Sequence, residues 1–419
     1  MTVAQILRKY DPSEWGGTET AVLQLSADLA TKGVRSVTFA PALGKPAGGP
    51  DPFAAAGCPV RRFRASVPVW GITREHRMQM VAVGGNLVSM ELLRDLWREP
   101  KVDVVHSHAQ GRIGAIGRAV AGARGAPFVL SIHGGAYDLP DRVRSELLAP
   151  GAGGFDWGRA VGLALRARRL VALADAVITL NPREATLIRE RHPGRRILVE
   201  RHGISTSLFA RECRAAATAA FPRVEGRTVL LVLGRIDPTK NQSWLLAEVA
   251  EIARRHPKAL LVFVGSITNR EYGDAFHERI RASGLEDSVL VAGSLPFGDP
   301  RLVGLLQLAR AMALPSLSET FGLVILEAWA AGTPVISSRT SGASALISDG
   351  VNGLLFDLDN PAGFHGAVDL VMARPDFASA MGAAGRAEAV EKYDTSARAE
   401  KMKQLYQELI EEKHAPRRN

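Results

Sequence analysis

The stretch Arg310–Ser338, RAMALPSLSETFGLVILEAWAAGTPVISS, decides how this chain folds. RAMALP reads as a strand running into a Pro-Ser loop, FGLVILEAWAAG as a helix with Gly332 near its stop, and PVISS as the next strand. Strand, loop, helix and strand in so short a span form one right-handed crossover of a parallel sheet. Two carboxylates, Glu319 and Glu327, stand eight positions apart around the apolar run. A buried carboxylate needs partners, so this unit carries more than packing.

The same alternation extends outward in both directions. TVLLVLG, ALLVFVG and SVLVAG precede the stretch and GLLF follows it, with helical segments such as QSWLLAEVAEIARRHP and PRLVGLLQLA between them. The first half repeats the scheme with VAQILR, VRSVTFAP, VDVVHSH, PFVLSIH and DAVITLN, and Gly33 closes a helix over 18–32. The pattern predicts an α/β protein of two doubly wound, Rossmann-like domains, residues 1–203 and 204–419, divided near Gly203. The final helix, about 395–414, is amphipathic and follows the second sheet, so it caps one domain or the other. Two such domains are expected to face each other across a cleft, with ligands beyond the carboxyl ends of their strands.

The chain has 419 residues, 46% of them hydrophobic and 23% charged, as expected of globular domains. It has no apolar run of membrane-spanning length and no signal-like N-terminus, which predicts a cytoplasmic protein. Cys58 and Cys213 are the only cysteines, without metal-type spacing. The net charge of +9 divides unevenly: residues 1–203 hold 28 Lys+Arg against 18 Asp+Glu, and residues 204–419 hold 24 against 25. A basic first domain suits an anionic surface or substrate.

In VLLVLGRIDPTKNQSWLLA a buried strand ends at Gly234, with Arg235 and Lys240 placed before the next helix. Two cations at a sheet's carboxyl edge, beside a helix N-terminus, describe a diphosphate site; two solvated loop charges are the alternative. Gly322 permits close backbone approach, which turns the amides of Phe321, Gly322 and Leu323 toward an anion. Sugar hydroxyls are suitable donors to Glu319 and Glu327. The alternative has Glu327 paired with an internal base and Glu319 as a solvated cap. His133, in SIHGGAYD, sits at a strand's carboxyl end and either lines the site or is a hydrogen-bonded structural residue. His106 and His108 have alternate spacing without a third metal ligand nearby, and Asp357 with Asp359 reads as a turn.

GRIDPTK, LPSLSETFGLVILEA and AGTPVISSRTSG…ALISDGVNGLLF resemble the donor domain of the retaining nucleotide-sugar glycosyltransferases of the GT-B fold, family four. The Glu319–Glu327 spacing is similar to that family's E-x7-E motif. EWGGTETAVLQLSADLATKGV resembles its Gly-Gly loop and first helix. The resemblance implies that Arg235 and Lys240 hold the donor diphosphate, Glu327 the ribose, and Glu319 with the Phe321–Leu323 amides the sugar. It further implies Gly16 and Gly17 near phosphates and acceptor, His133 at the sugar, and the base near Ser294 and Leu295. A nucleotide-sugar donor of UDP or GDP type is expected, with retention, no cofactor and no divalent metal. The chain departs from the family pattern at His202-Gly203, SITNREYG and SGASAL, positions that bear on base and sugar selectivity.

Arginines cluster in RRFR, TREHRMQM and DWGRAVGLALRARRL, the last beside Trp157 and several leucines. That composition suits peripheral contact with an anionic membrane at the inner face, or else a core helix with a solvated basic side. The expected acceptor is a glycan or lipid-linked molecule in cell-envelope polysaccharide or glycolipid synthesis. No nucleic-acid motif accompanies the basic surface. The competing functions are a nucleotide-sugar epimerase and a non-catalytic sugar-nucleotide-binding subunit. A dehydrogenase is disfavoured by the absence of G-x-G-x-x-G.

Overall fold

The computed structural model describes residues 1–11, 16–42, 51–82, 87–133, 137, 154–180 and 182–415. Glu14 and Trp15 of the Gly-Gly turn, and Gly134 and Gly135 after His133, lie outside the described residues. The chain divides into two units, residues 1–201 with 395–419, and residues 202–394.

The first unit has strands β1 (Thr2–Ile6), β2 (Arg35–Pro41), β3 (Val60–Phe63), β4 (Val69–Trp70), β5 (Val104–Ser107), β6 (Phe128–Ile132), β7 (Phe155–Asp156), β8 (Ala176–Thr179) and β9 (Ile197–Val199). Seven form a parallel sheet of order β3-β2-β1-β5-β6-β8-β9, while β4 and β7 pair separately. The central strands are buried on both faces, which is why they read as continuous apolar runs. Side chains alternate: Val3, Val104, Val129 and Ile178 pack on one face, and Ala4, Val105, Phe128, Leu130 and Val177 on the other. The first face is covered by helix Gly17–Thr31, through Leu25 and Leu29, and by helix Thr395–His414, through Met402, Leu405, Tyr406 and Leu409. Of the two places open to the final helix, it takes the first unit.

The second unit has β10 (Thr228–Leu233), β11 (Ala259–Val264), β12 (Val289–Gly293), β13 (Ala309–Leu314), β14 (Val335–Ser338) and β15 (Leu354–Phe356), all parallel in the order β12-β11-β10-β13-β14-β15. The order reverses between β10 and β13, so the loops after these neighbours open at the switch point of the sheet. Both cations and both carboxylates singled out above lie after β10 and β13.

Candidate active site

In the second unit β10 delivers the chain to Arg235, and helix Gln242–Arg255 receives it at Asn241, whose φ of 57° is left-handed. Buried Asp237 braces this turn. Its carboxylate accepts the Lys240 amide at 3.0 Å and pairs with the Arg235 guanidinium at 3.1 Å, while the Gln242 side-chain amide donates to the Arg235 carbonyl at 2.7 Å. The Leu317 amide donates to the Thr239 carbonyl at 2.8 Å, which ties the loop after β13 to the loop after β10. Across this tie the Lys240 ammonium pairs directly with the Glu319 carboxylate. Two of the four predicted charges therefore meet although 79 residues separate them.

The Glu319 loop is also held from below. The Gly342 amide donates to the Glu319 carbonyl at 2.7 Å, and a Cβ on Gly342 would lie 2.5 Å from that oxygen. Only glycine allows helix Ser341–Leu346 to approach so closely. Gly322, with φ at 87°, is the N-cap of helix Leu323–Ala330. Among the described residues the amides of Phe321, Gly322 and Leu323 donate no hydrogen bond, as an anion-facing helix start requires. The Phe321 ring packs edge-on against His202 at 5.5 Å.

Glu327 lies one turn deeper, buried on helix Leu323–Ala330. Among the described residues it has no hydrogen bond and no ion pair, and burial pushes its carboxyl up to about 8. The alternative reading of the two acids is thereby corrected: Glu319 takes the basic partner, and the buried Glu327 goes without one. Ser294 and Leu295 follow β12 on the same edge, two strands from β10, and no hydrogen bond joins their side chains to the Lys240–Glu319 cluster among the described residues.

In the first unit three adjacent strands bring polar side chains to their carboxyl edge. His133, at the end of β6, meets His108, after β5, with 2.7 Å between His133 Nε2 and His108 Nδ1. His108 Nε2 in turn lies 2.8 Å from the Gln5 side-chain oxygen on β1. That oxygen accepts, so His108 carries its proton on Nε2, and its Nδ1 accepts from Nε2–H of His133. One layer below, His106 lies between Tyr406 and Ser131, each at 2.7 Å. The alternate spacing of His106 and His108 thus serves a hydrogen-bonded stack. Among the described residues no group of three His, Cys, Asp or Glu side chains is placed to hold a metal ion, and Asp357 pairs with Arg339 at 3.4 Å. Gly16 caps helix Gly17–Thr31 beyond β1; its carbonyl accepts from the Thr20 amide at 3.1 Å.

Burial, then the charge of Arg398, holds the His106 imidazole down at about 3, and burial, Arg398, Arg8 and His106 hold His133 well below its usual value. Both are neutral at pH 7. Unfolded histidines titrate near ~6.5, so below that pH the unfolded chain binds more protons and the first unit loses stability as pH falls. Each histidine is expected to contribute a slope of about 1.4 kcal/mol per pH unit down to its folded value. Urea unfolding of the wild type and His106→Asn between pH 6.5 and 4.5 reads this directly. The variant should show the shallower slope, and equal slopes would mean that His106 is charged in the folded protein.

Sequence reading missed Asp237, Gln5 and Gly342. Asp237 stands two residues from Arg235 and had a local signal, whereas Gln5 and Gly342 act across the sheet, where no spacing shows them.

Two parallel-sheet units, with cations and carboxylates gathered after the switch-point strands of one, are the architecture expected of a GT-B fold. Solved structures agree on the fold. Sucrose-phosphate synthase from Thermosynechococcus elongatus superposes with a TM-score of 0.74 over 98% of this chain and 99% of that one, at 22% identity. HepE of Anabaena, in complex with UDP-glucose, gives 0.72 over 97% and 100%, at 17% identity. The sequence profile of "Glycosyl transferases group 1" matches residues 215–388, and that of "Glycosyl transferase 4-like domain" matches residues 16–203. A D-inositol 3-phosphate glycosyltransferase of Acidothermus cellulolyticus is 30% identical over 84% of this chain and 77% of its own, and one of Frankia alni is 30% identical over 89% and 90%. The chain belongs to the group 1 glycosyltransferases.

Proposed function

We propose that the protein transfers a hexose, with retention, from a nucleotide diphosphate donor of UDP or GDP type to a hydroxyl of a glycan or lipid-linked acceptor, without a divalent metal. The observation that carries this reading is the pairing of Lys240 with Glu319 beside Arg235, near the buried Glu327 carboxylate, which has no partner among the described residues. Breaking the anomeric C–O bond leaves negative charge on the diphosphate, and Arg235, Lys240 and the free helix amides stabilise it. Lys240 exchanges Glu319 for phosphate, which turns the Glu319 carboxylate toward the sugar. Glu327 accepts from the ribose hydroxyls. The acceptor oxygen bonds to the anomeric carbon, and its proton passes to the departing phosphate oxygen. Neutral His133, oriented by His108 and Gln5, accepts a hydrogen bond from a sugar hydroxyl at Nδ1. Gly16 and Gly17 allow close approach near phosphates and acceptor, and the base lies by Ser294 and Leu295.

The complex of HepE with UDP-glucose favours uridine within the donor class. The names of the relatives favour a second acceptor reading, a phosphorylated cyclitol, which suits the basic first unit.

Calorimetric titration with UDP-glucose, UDP-N-acetylglucosamine and GDP-mannose is expected to find one donor class that binds. Turnover should then require an acceptor and survive EDTA. Isomerisation of the donor with no acceptor present would overturn transfer, and loss of activity on chelation would overturn the metal-free site.

A further inference from the structure

The β4–β7 ribbon lies outside both large sheets, and its construction separates an anchored side from an exposed one. In the antiparallel register Val69 faces Asp156 and Trp70 faces Phe155. Asp156 points inward, and its carboxylate holds the buried Arg112 guanidinium. The Arg77 guanidinium donates to the Val67 and Val69 carbonyls at 2.9 and 2.7 Å. Gly158, which begins helix Gly158–Ala164, lies so near Arg112 that a Cβ there would be 2.7 Å from its nitrogen.

The outward side is apolar. The Trp70 and Phe155 rings lie 6.0 Å apart, and these residues are 64% and 66% exposed. Trp157 follows two residues after Phe155, and Leu163, on the next helix, is 81% exposed. Single exposed hydrophobics are ordinary, but a contacting Trp70–Phe155 pair on a ribbon anchored from beneath, with Trp157 and Leu163 exposed within the next eight residues, marks an interaction surface. The exposed charge that residues 154–170 add beside it is basic. Arg159, Arg166, Arg168 and Arg169 are exposed, and Asp156, the only acid in residues 154–170, is used underneath by Arg112. The whole first unit carries 34 Lys+Arg against 22 Asp+Glu, a balance of +12, and the second carries 18 against 21.

We propose that the β4–β7 ribbon and helix Gly158–Ala164 dock the protein on an anionic lipid bilayer, with Trp70, Phe155 and Trp157 at headgroup level and the arginines on acidic headgroups. A second copy of the chain is a poorer occupant, because a twofold interface would set these arginines against themselves. The proposal is independent of which sugar is transferred, so it stands or falls apart from the proposed reaction.

The test is sedimentation of the full chain with vesicles of phosphatidylcholine alone, or with phosphatidylglycerol added. Binding is expected only with the acidic lipid and should weaken as salt rises. Joint replacement Trp70→Ser and Phe155→Ser should lower binding at least about tenfold, as should Arg168→Glu with Arg169→Glu. Both variants are expected to keep the wild-type melting temperature, which separates lost docking from lost folding. Trp97→Ser, at a tryptophan 55% exposed on helix Met90–Arg98, should leave binding unchanged. Equal binding to both vesicle types, an unaltered ribbon variant or an equal loss with Trp97→Ser would each overturn the assignment. So would self-association that the Trp70→Ser and Phe155→Ser pair abolishes.

Discussion

Arg235→Ala and Lys240→Ala should each lower turnover by about 10²- to 10³-fold, the usual cost of removing one charged donor from a developing anion. Both should also weaken the nucleotide diphosphate more than the nucleoside, since the lost contacts are to phosphate. Lys240→Ala carries a second effect. It strips Glu319 of its partner and leaves an uncompensated carboxylate facing the incoming phosphates. Adding Glu319→Ala is therefore expected to recover part of the nucleotide affinity while turnover stays low. Calorimetry and steady-state rates on the two single variants and the double variant measure the coupling. Full turnover in either single variant would place the leaving group elsewhere.

Nucleotide affinity should rise steeply with pH because of Glu327. Burial holds its carboxyl at about 8 in the free protein, so at pH 7 it is mostly protonated. A ribose diol donates to the ionised form, and binding must then expel a proton. Below pH 8 the loss of affinity approaches about tenfold per unit until the bound-state value is reached, and amounts to about 50-fold between pH 8 and 6. Titrations at pH 6.5 in two buffers of different ionisation heat should reveal release of nearly one proton, which Glu327→Gln abolishes. For the free protein the sign is opposite to that of the histidines: the raised value favours the folded state at low pH, and that contribution is lost as pH rises through about 8. Binding without proton release would show that the nucleotide does not meet this carboxylate.

The sheets were legible because TVLLVL and ALLVFV are buried on both faces and leave no room for polar residues. The placement of the cations and acids at the sheet's carboxyl edge was legible because they follow strands closely, where sequence spacing and spatial position coincide. What stayed hidden depends on distance along the chain. His106 meets Tyr406 across 300 positions, and His108 meets Gln5 across 103, so strand spacing alone could place them as site-wall or structural residues without showing their partners. The β4–β7 ribbon has two residues per strand, too few for any periodicity. Gly342 looked like a departure from a familiar pattern. In the fold its missing side chain is the space that the Glu319 loop occupies.

The return of helix Thr395–His414 to the first unit has a consequence for how the molecule is made. The chain leaves that unit after Arg201 and re-enters it at Thr395, and the Ile204–Asp394 bridge holds the two passages side by side. A ribosome therefore completes the second unit while the first still lacks the helix that covers Val3, Val104 and Val129. The half synthesised earliest is the last to close, and a nascent chain stopped at Arg201 exposes an apolar sheet face to whatever chaperone meets it.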